Sequence, residues 1–364
     1  MTSETWNPLS NAPPFPAVRY ASIADRIAKV LGTRNDVLLI QAEAVVALEA
    51  VATSLARPGL KVLNIVTSPY GLWFGNWLRR GGADVIELAA EPARPIDVEA
   101  VERALNAHPD TKVLALCHAE SASCILNPME DILALARARG IVTIVDAVAS
   151  VGGHALNVDE LGVDIAIIGP QKSLAGPAGL SALSVSSAAW QLISRDGGPT
   201  SSILSLLDQK AWLDAGRGTL PGTTAPLEFF ALDAALDRLE AEGLASVIAR
   251  HGRAARAAHA GLIALGAEPW VKPEKGSHLV TAVELSEAAD PKALLAAAAP
   301  LGMEFSIGVG PGANRLIRLN HTGLRARFDI VLGNVTAYGI GLRRLGFKAD
   351  IAAAVEAIAL HYGD

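Results

Sequence analysis

Two chemically capable side chains follow neighbouring apolar runs of this sequence. Asp146 ends the run Val142–Val145, and Lys172 comes shortly after the run Ile165–Ile168. Taken alone, such a lysine is most often solvated, and such an aspartate can equally cap a helix or bind a metal. Lys172 is also followed by the small, apolar segment Leu174–Leu180. Burial between two apolar segments favours a neutral, nucleophilic amine.

An aspartate and a lysine at successive strand ends suit a pyridoxal-type cofactor. The amine can form a Schiff base with the cofactor's aldehyde, while the carboxylate pairs with the protonated pyridine nitrogen and makes the ring an electron sink. The pair is much more specific than either residue alone. We therefore predict that a pyridoxal-type cofactor is bound at Lys172, and that Lys172 and Asp146 are the catalytic residues.

Short apolar runs alternate with amphipathic helical segments through the first part of the chain. The runs predicted as strands are Val37–Ile40, Lys61–Val66, Asp84–Leu88, Val113–Cys117, Val142–Asp146, Ile165–Gly169 and Leu180–Val185. This alternation is typical of an α/β fold with a mostly parallel sheet, here of seven strands, that helices cover on both faces. Ligands of such sheets bind beyond the carboxyl ends of the strands, so the residues directly after each run are candidates for a site.

The pattern changes near Gly243. A long helix is predicted over Leu244–Leu265, followed by shorter strands at Val280–Leu285 and Leu316–Asn320 among further helices. This indicates a smaller α+β C-terminal domain. We predict an N-terminal arm at residues 1–18, a large cofactor-binding domain at residues 19–245 and a small domain at residues 246–364.

The overall charge limits the classes of partner. The formal net charge is −6, so no basic excess attracts nucleic acid or an anionic membrane. Residues 1–16 are polar and proline-rich and lack the features of a signal peptide. No uncharged apolar run reaches the roughly 18 residues of a membrane span. We expect a soluble, cytoplasmic protein without nucleic-acid or membrane partners.

The spacing of cysteine and histidine argues against a metal centre. Cys117 and Cys124, the only two cysteines, have no CxxC spacing and are expected to be free thiols in a reducing compartment. His118, His278 and His321 show no metal-ligand spacing, and we interpret them as structural or supporting residues. No bound metal is predicted.

Two motifs carry a resemblance to a known family. The stretches Val145–Gly153 (VDAVASVGG) and Gly169–Leu174 (GPQKSL) resemble those of class V aminotransferases of fold type I, in particular the alanine–glyoxylate and pyridoxamine–pyruvate aminotransferases. The resemblance extends from about Val37 to the C terminus and is looser in the last third. It implies the fold type I architecture and, as cofactor, pyridoxal 5′-phosphate or unphosphorylated pyridoxal or pyridoxamine.

The resemblance implies a role for each matching residue around the cofactor ring. Lys172 would form the Schiff base and move the proton between the α-carbon and C4′, and Asp146 would pair with the pyridine nitrogen. Val148 would pack against one face of the ring, and Tyr70 would stack on the other. Ser121 matches a hydroxyl residue near the ring oxygen.

Three further matches concern the phosphate end and the substrate. Gln171 matches a group near the phosphate end of the cofactor. Thr223 matches a residue that reaches the phosphate end of the neighbouring subunit's site, which implies a homodimer, or a tetramer, with shared active sites. Arg318 matches the arginine that binds the substrate carboxylate, for which a guanidinium offers two parallel hydrogen bonds.

Glu43, followed by Ala44 and Val45, stands at the start of the first helix of the large domain. Most relatives have glycine and serine there, and the free N–H groups receive the cofactor phosphate. A carboxylate beside a phosphate is unfavourable by roughly 1 kcal/mol at about 4 Å even in bulk water. The pyridoxamine–pyruvate enzyme also has a glutamate there. We hypothesise that the protein binds free pyridoxal or pyridoxamine better than the phosphate ester. The alternative is a capping acid turned toward solvent, with ordinary phosphate binding.

Two departures from the relatives concern the substrate pocket. Their N-terminal glycine–proline substrate loop has no clear counterpart in Trp6–Pro16. Val309 stands where the pyridoxamine–pyruvate enzyme carries an arginine. Arg315 lies near in sequence and could either compensate or point to solvent.

The leading functional prediction is an aminotransferase that moves an amino group from an amine, in the first place free pyridoxamine, to a small 2-oxo acid such as pyruvate. One alternative is a conventional pyridoxal-phosphate-dependent amino acid–glyoxylate or amino acid–pyruvate aminotransferase. A lyase or aldolase of the same fold is a second alternative, and a vitamer-binding protein without catalysis is a third. A desulfurase is disfavoured because Cys117 and Cys124 both lie in the large domain.

Overall fold

A seven-stranded sheet forms the centre of the larger part of the molecule. The structure is a computed structural model that describes residues 12–194, 198–303, 305–309 and 313–363. The strands are β1 (Asp36–Ile40), β2 (Lys61–Val66), β3 (Asp84–Ala89), β4 (Val113–Cys117), β5 (Val142–Asp146), β6 (Ile165–Ile168) and β7 (Ser181–Val185). Their order is β1-β7-β6-β5-β4-β2-β3. β7 is antiparallel to both neighbours and the other pairs are parallel, which confirms the predicted α/β sheet.

Helices cover both faces of this sheet. They are α1 (Val18–Leu31), α2 (Ala44–Leu55), α3 (Pro69–Arg80), α4 (Val98–Ala107), α5 (Met129–Arg137), α6 (Val158–Leu161), α7 (Ser187–Ile193), α8 (Leu206–Asp214) and α9 (Pro226–Glu242). Side chains of α1, α4, α5 and α9 share one apolar core with the sheet, and those of α2, α3 and α7 share another. In α1 the buried residues Ile23, Ile27 and Leu31 recur every fourth position, so one face of the helix is apolar.

The parallel strands β4, β5 and β6 end at the same edge of the sheet. Cys117 is paired with Asp146, and Asp146 is paired with Ile167. These central strands are covered on both faces, which accounts for their nearly continuous apolar sequence. The segments that follow the three strands therefore start side by side, and the predicted strand-end residues come together there.

A smaller α+β part follows Gly243, which lies between α9 and the next helix with a φ of +83°. Its helices are α10 (Leu244–Ala264), α11 (Pro291–Ala298), α12 (Phe328–Arg344) and α13 (Ile351–Ala359). Its strands β8 (Val280–Glu284), β9 (Phe305–Ile307) and β10 (Leu316–Asn320) form an antiparallel sheet in the order β8-β10-β9. The predicted domain boundaries at residues 18 and 245 stay predictions, and most of the predicted N-terminal arm, residues 1–11, lies outside the described residues.

The sequence pattern does not predict α6, α7, α8, α9 or β9. It predicts a helix around Leu72–Gly81, which starts three residues later than α3 does. The helix begins at Pro69, where proline suits the first turn, and the Ser68 hydroxyl accepts a hydrogen bond from the Tyr70 N–H at 3.3 Å. This cap places Tyr70 at the edge of the sheet where β4, β5 and β6 end.

Candidate active site

A cavity of about 380 Å³ lies beyond the ends of β4 and β5. Its lining residues are Glu43, Ala44, Val45, Leu48, Tyr70, Cys117, Ala119, Glu120, Ser121, Asp146, Val148, Ala149 and Lys172. The structure therefore brings together every residue predicted for the site except Gln171, Thr223 and Arg318. The sequence did not indicate Leu48, Ala119 or Ala149, since small and apolar lining residues carry no chemical signal.

Lys172 is held in a tight turn after β6. The turn requires Gly169, because a Cβ atom there would lie 2.7 Å from Val148 Cγ1 and 2.5 Å from Gln171 Oε1. The half-buried Lys172 amine donates to the Ser121 hydroxyl across 3.5 Å. Among the described residues it forms no salt bridge, so it is available to a ligand in the cavity.

Asp146 ends β5 with its carboxyl group facing the cavity. Its Oδ1 accepts a hydrogen bond from the Val148 N–H at 3.0 Å, which fixes the orientation of the group. Burial, together with the charge of the nearby Glu120, raises the pKa of Asp146 to about 7, against the attraction of Lys172. The Asp146 carboxylate, held in this orientation, could accept a hydrogen bond from a protonated ring nitrogen, whose positive charge would stabilise the ionised form.

Glu120 is a second carboxyl group in the cavity, and the sequence prediction did not assign it to the site. It is 2% exposed and accepts a hydrogen bond from the Thr67 hydroxyl at 2.8 Å, while the Asn127 amide donates to that hydroxyl at 3.0 Å. Burial raises the pKa of Glu120. Its place after β4, between His118 and Ser121, was the available signal.

Glu43 both caps α2 and faces the cavity. Its Oε2 accepts a hydrogen bond from the Val45 N–H at 2.8 Å, and its Oε1 accepts one from Gln171 Nε2 at 2.7 Å. The carboxylate therefore stands at the helix N-terminus, where the backbone N–H groups favour an anion. Gln171 does not line the cavity, and its buried Oε1 has no hydrogen-bond partner.

Arg318 lies in the middle of β10, half-buried, outside the lining of this cavity. Its buried Nε has no hydrogen-bond partner, and its charge acts on Tyr70 and Cys124. The guanidinium therefore lies near the Tyr70 side of the cavity with an unused donor. Burial raises the pKa of Tyr70, and Glu43 adds to this effect while Arg318 opposes it.

Arg315 is directed away from the site. Its guanidinium donates to the backbone carbonyl of Leu285 at 2.8 Å and also to that of Ser286. It therefore does not compensate for the missing arginine at Val309. This resolves the two alternatives that the sequence left open.

Thr223 is exposed and does not line the cavity of its own chain. The loop that carries it is tied to the start of the α2 region, because Gln41 Oε1 accepts a hydrogen bond from the Ala225 N–H at 2.9 Å. The predicted role of Thr223 in a neighbouring subunit stays a prediction.

Sequence comparison identifies the family of this chain. The family model described as aminotransferase class-V matches residues 17–299. The chain belongs to the class V aminotransferases. This confirms the predicted family and the prediction that the protein is a transaminase.

Relatives of this class V aminotransferase cover most of its length. A pyridoxamine–pyruvate transaminase from Mesorhizobium japonicum is 35% identical over 93% of this chain and 86% of its own. An alanine–glyoxylate aminotransferase from Callithrix jacchus is 31% identical over 84% of this chain and 75% of its own. The crystal structure of pyridoxamine–pyruvate aminotransferase from Mesorhizobium loti has a TM-score of 0.91 and 34% identity, and the match covers 95% of this chain and 89% of that one.

The described residues of this aminotransferase also bear on metal binding and on insertion into a membrane. In the part of the chain that the structure describes, no group of three or more His, Cys, Asp or Glu side chains could hold a metal ion. No helix among the described residues is both long and apolar enough to cross a membrane. The expected absence of a metal and the expected cytoplasmic location stay predictions.

Proposed function

We propose that this aminotransferase carries an unphosphorylated pyridoxal-type group at Lys172 and transfers the amino group of free pyridoxamine to a small 2-oxo acid such as pyruvate. The observation that carries the proposal is the position of Glu43. Its carboxylate caps α2 at 2.8 Å from the Val45 nitrogen and lines the cavity. A phosphate dianion at this helix end would meet a like charge, whereas a neutral hydroxymethyl group could donate a hydrogen bond to it.

The residues of the cavity fit the pyridoxal group that the family implies. Tyr70 and Val148 line it and would hold the ring between them, and the oriented carboxyl group of Asp146 would hold the proton of the ring nitrogen. A pyridoxal ring supplies an electron sink for the negative charge that develops when the α-carbon loses its proton.

Lys172 would transfer the proton, and Arg318 would bind the substrate carboxylate. The Lys172 amine, 3.5 Å from the Ser121 hydroxyl and without a salt bridge, would take the proton from one carbon and return it to the other. The unpartnered Nε of Arg318 offers a donor for the substrate carboxylate. Because both groups are unpaired within the described residues, neither must break an ion pair before it acts.

We also propose that the active protein is a homodimer with shared sites. The support is the exposed Thr223, whose loop is anchored to Gln41 only two residues before Glu43. A second copy of the chain packed against the surface around this loop would bring its own Thr223 loop to the end of the cavity that Glu43 lines. The small-molecule partners are then the amino donor and the 2-oxo acid.

A conventional pyridoxal-phosphate-dependent aminotransferase is the second candidate. The similarity to an alanine–glyoxylate aminotransferase at 31% identity favours it. It would require the Glu43 carboxylate to leave both the Val45 N–H and Gln171, so that a phosphate could take its place.

Titration of the ligand-free protein with pyridoxal and with pyridoxal 5′-phosphate distinguishes the two. We expect pyridoxal to bind at least roughly tenfold more tightly, and Glu43→Ser to shift the preference toward the phosphate by about tenfold or more, as removal of one adjacent like charge requires. Binding is followed by absorbance, and alanine formation from pyruvate and pyridoxamine is measured in parallel.

The matched control is Glu49→Ser. Glu49 lies on the same helix but pairs with Arg80 on the surface, away from the cavity lining. We expect Glu49→Ser to leave the preference for pyridoxal over pyridoxal 5′-phosphate unchanged. Tighter binding of the phosphate ester by the unmodified protein would contradict the proposal.

A further inference from the structure

A second, largely apolar cavity of about 820 Å³ lies beside the candidate active site. Two chain segments are shared between the cavities. Pro69 lines the second cavity and the next residue, Tyr70, lines the first; in the same way Ala122 lines the second and Ser121 the first. The two cavities are therefore neighbours across these residue pairs.

The position of Arg318 connects the second cavity with the substrate. Arg318 is paired with Ala282 in the β10–β8 register, and the Trp270 N–H donates to the Ala282 carbonyl at 2.8 Å. Trp270 and Arg318 thus lie in one row across the sheet, about two strand spacings or roughly 10 Å apart. Leu316, two residues before Arg318, shares its face of the strand. Both Trp270 and Leu316 line the second cavity.

The chemistry of the lining favours an apolar ligand group. The wall includes Leu72, Ile125 and Val309 besides Trp270 and Leu316, and among the described residues the one charged lining residue is Glu91. Val309 is 53% exposed and forms part of the rim. The nearby Arg315 is engaged with backbone carbonyls and places no second positive charge here.

We propose that this cavity takes the apolar side chain of the 2-oxo acid whose carboxylate is bound by Arg318, so that branched and aromatic 2-oxo acids are acceptors in preference to pyruvate. The inference rests on the proposed aminotransferase site and narrows its acceptor class: pyruvate is still turned over there, but less efficiently than these larger acids. The reaction needs no external oxidant: the donor's amine carbon becomes a carbonyl while the acceptor's keto carbon becomes an amine. Burial of a side chain the size of leucine's in an apolar pocket is worth roughly tenfold or more in kcat/KM.

The test measures kcat/KM for pyruvate, 4-methyl-2-oxopentanoate and phenylpyruvate. Each acceptor is tried with free pyridoxamine and, separately, with pyridoxamine 5′-phosphate as donor. We expect one or both larger acceptors to exceed pyruvate by roughly tenfold. If the protein turns over pyridoxamine 5′-phosphate but not free pyridoxamine, that result contradicts only the proposed donor. The ratio of kcat/KM between large and small acceptors can then still be measured with the phosphorylated donor. A preference for pyruvate with either donor would overturn the inference.

Variants of the rim and wall locate the effect. Val309→Asn keeps the size of an exposed side chain but removes its apolar surface, and Trp270→Ala removes the largest wall residue. Both are expected to lower the ratio of large to small acceptor severalfold. Ile203→Asn, at a position 82% exposed and outside the cavity, is the control and should leave the ratio unchanged. An unchanged ratio in both cavity variants, with melting temperatures retained, would overturn the assignment.

Discussion

At the scale of single residues, the cavity concentrates acidic groups in a low-polarity setting. Asp146 and Glu120 both have pKa values raised by burial, while Glu43 is stabilised by the end of a helix. Three carboxyl groups thus line one small cavity with one lysine, Lys172. Each is satisfied in a different way, which lets them coexist near neutral pH.

The raised pKa of Asp146 has a consequence for the stability of the ligand-free protein. The folded protein holds this proton up to about pH 7, whereas an ordinary aspartate loses it near 3.8. The free energy of unfolding therefore falls as the pH rises from about 4 to 7 and this contribution is constant above that. Asp146→Asn removes this contribution, so we expect the free energy of unfolding of the variant to match that of the parent near pH 4 and to exceed it by on the order of 4 kcal/mol at pH 8.

Urea unfolding of both ligand-free proteins at several pH values measures this difference. Protonation of other groups acts on both proteins alike and cancels. A stability difference that does not change with pH would contradict the assigned cause of the shift.

At the scale of elements, the sheet and its strand ends could be predicted because their signals are local. β4, β5 and β6 are short apolar runs; β5 ends in Asp146, and Lys172 follows β6 after a short turn that begins with Gly169. These local signals predict that both side chains lie at the same edge of the sheet. Helix α9 could not be predicted, since its buried face includes Asp233. That carboxylate can be buried because Arg19 and Arg26, both far away in the chain, form ion pairs with it. Arg318 could be placed on β10, but its relation to Trp270 depends on strand pairing.

The turn after β6 depends on the absence of a side chain at Gly169. Since a Cβ atom would lie 2.7 Å from Val148 Cγ1, Gly169→Ala must displace either the ring-facing valine or the Lys172 turn. We expect a loss of about 1–3 kcal/mol of stability and a large loss of pyridoxal binding. Gly218→Ala is the control, because no atom lies within 4 Å of its added Cβ. Calorimetry and ligand titration would check both, and equal behaviour of the two variants would refute the packing argument.

At the scale of the whole molecule, histidines from separate segments collect between the sheet and the smaller part. His118, His154, His251, His259 and His321 are buried, and the half-buried His278 stacks on His154 with ring centroids 4.2 Å apart. The sequence prediction of structural roles for three of them stays a prediction, and the grouping itself was not visible in the sequence because contacts distant in the chain create it.

This histidine group predicts acid sensitivity. Burial lowers the pKa of His118 and His251 to about 4 and that of His321 to about 3, and it also lowers the pKa of His154 well below its usual value. The unfolded chain binds protons near 6.5, so stability is fully present above that pH and is lost progressively as the pH falls toward 4.

We expect unfolding below pH 6.5 to take up several protons, and His154→Gln to reduce that number by about one. The number follows from the slope of unfolding free energy against pH. His108→Gln, outside the buried group, is the control and should leave the slope unchanged. A slope near zero in the parent protein would show that these rings are not held neutral.

The carboxylate that caps α2 has a bearing on how the protein is made and supplied. Because Glu43 belongs to the chain, the positive end of this helix is neutralised from the moment the fold forms, with no diffusible anion required. A newly synthesised molecule can therefore complete its architecture before meeting any vitamer. We expect the amount of competent protein to follow its expression, and the vitamer level to set only how fast each molecule works.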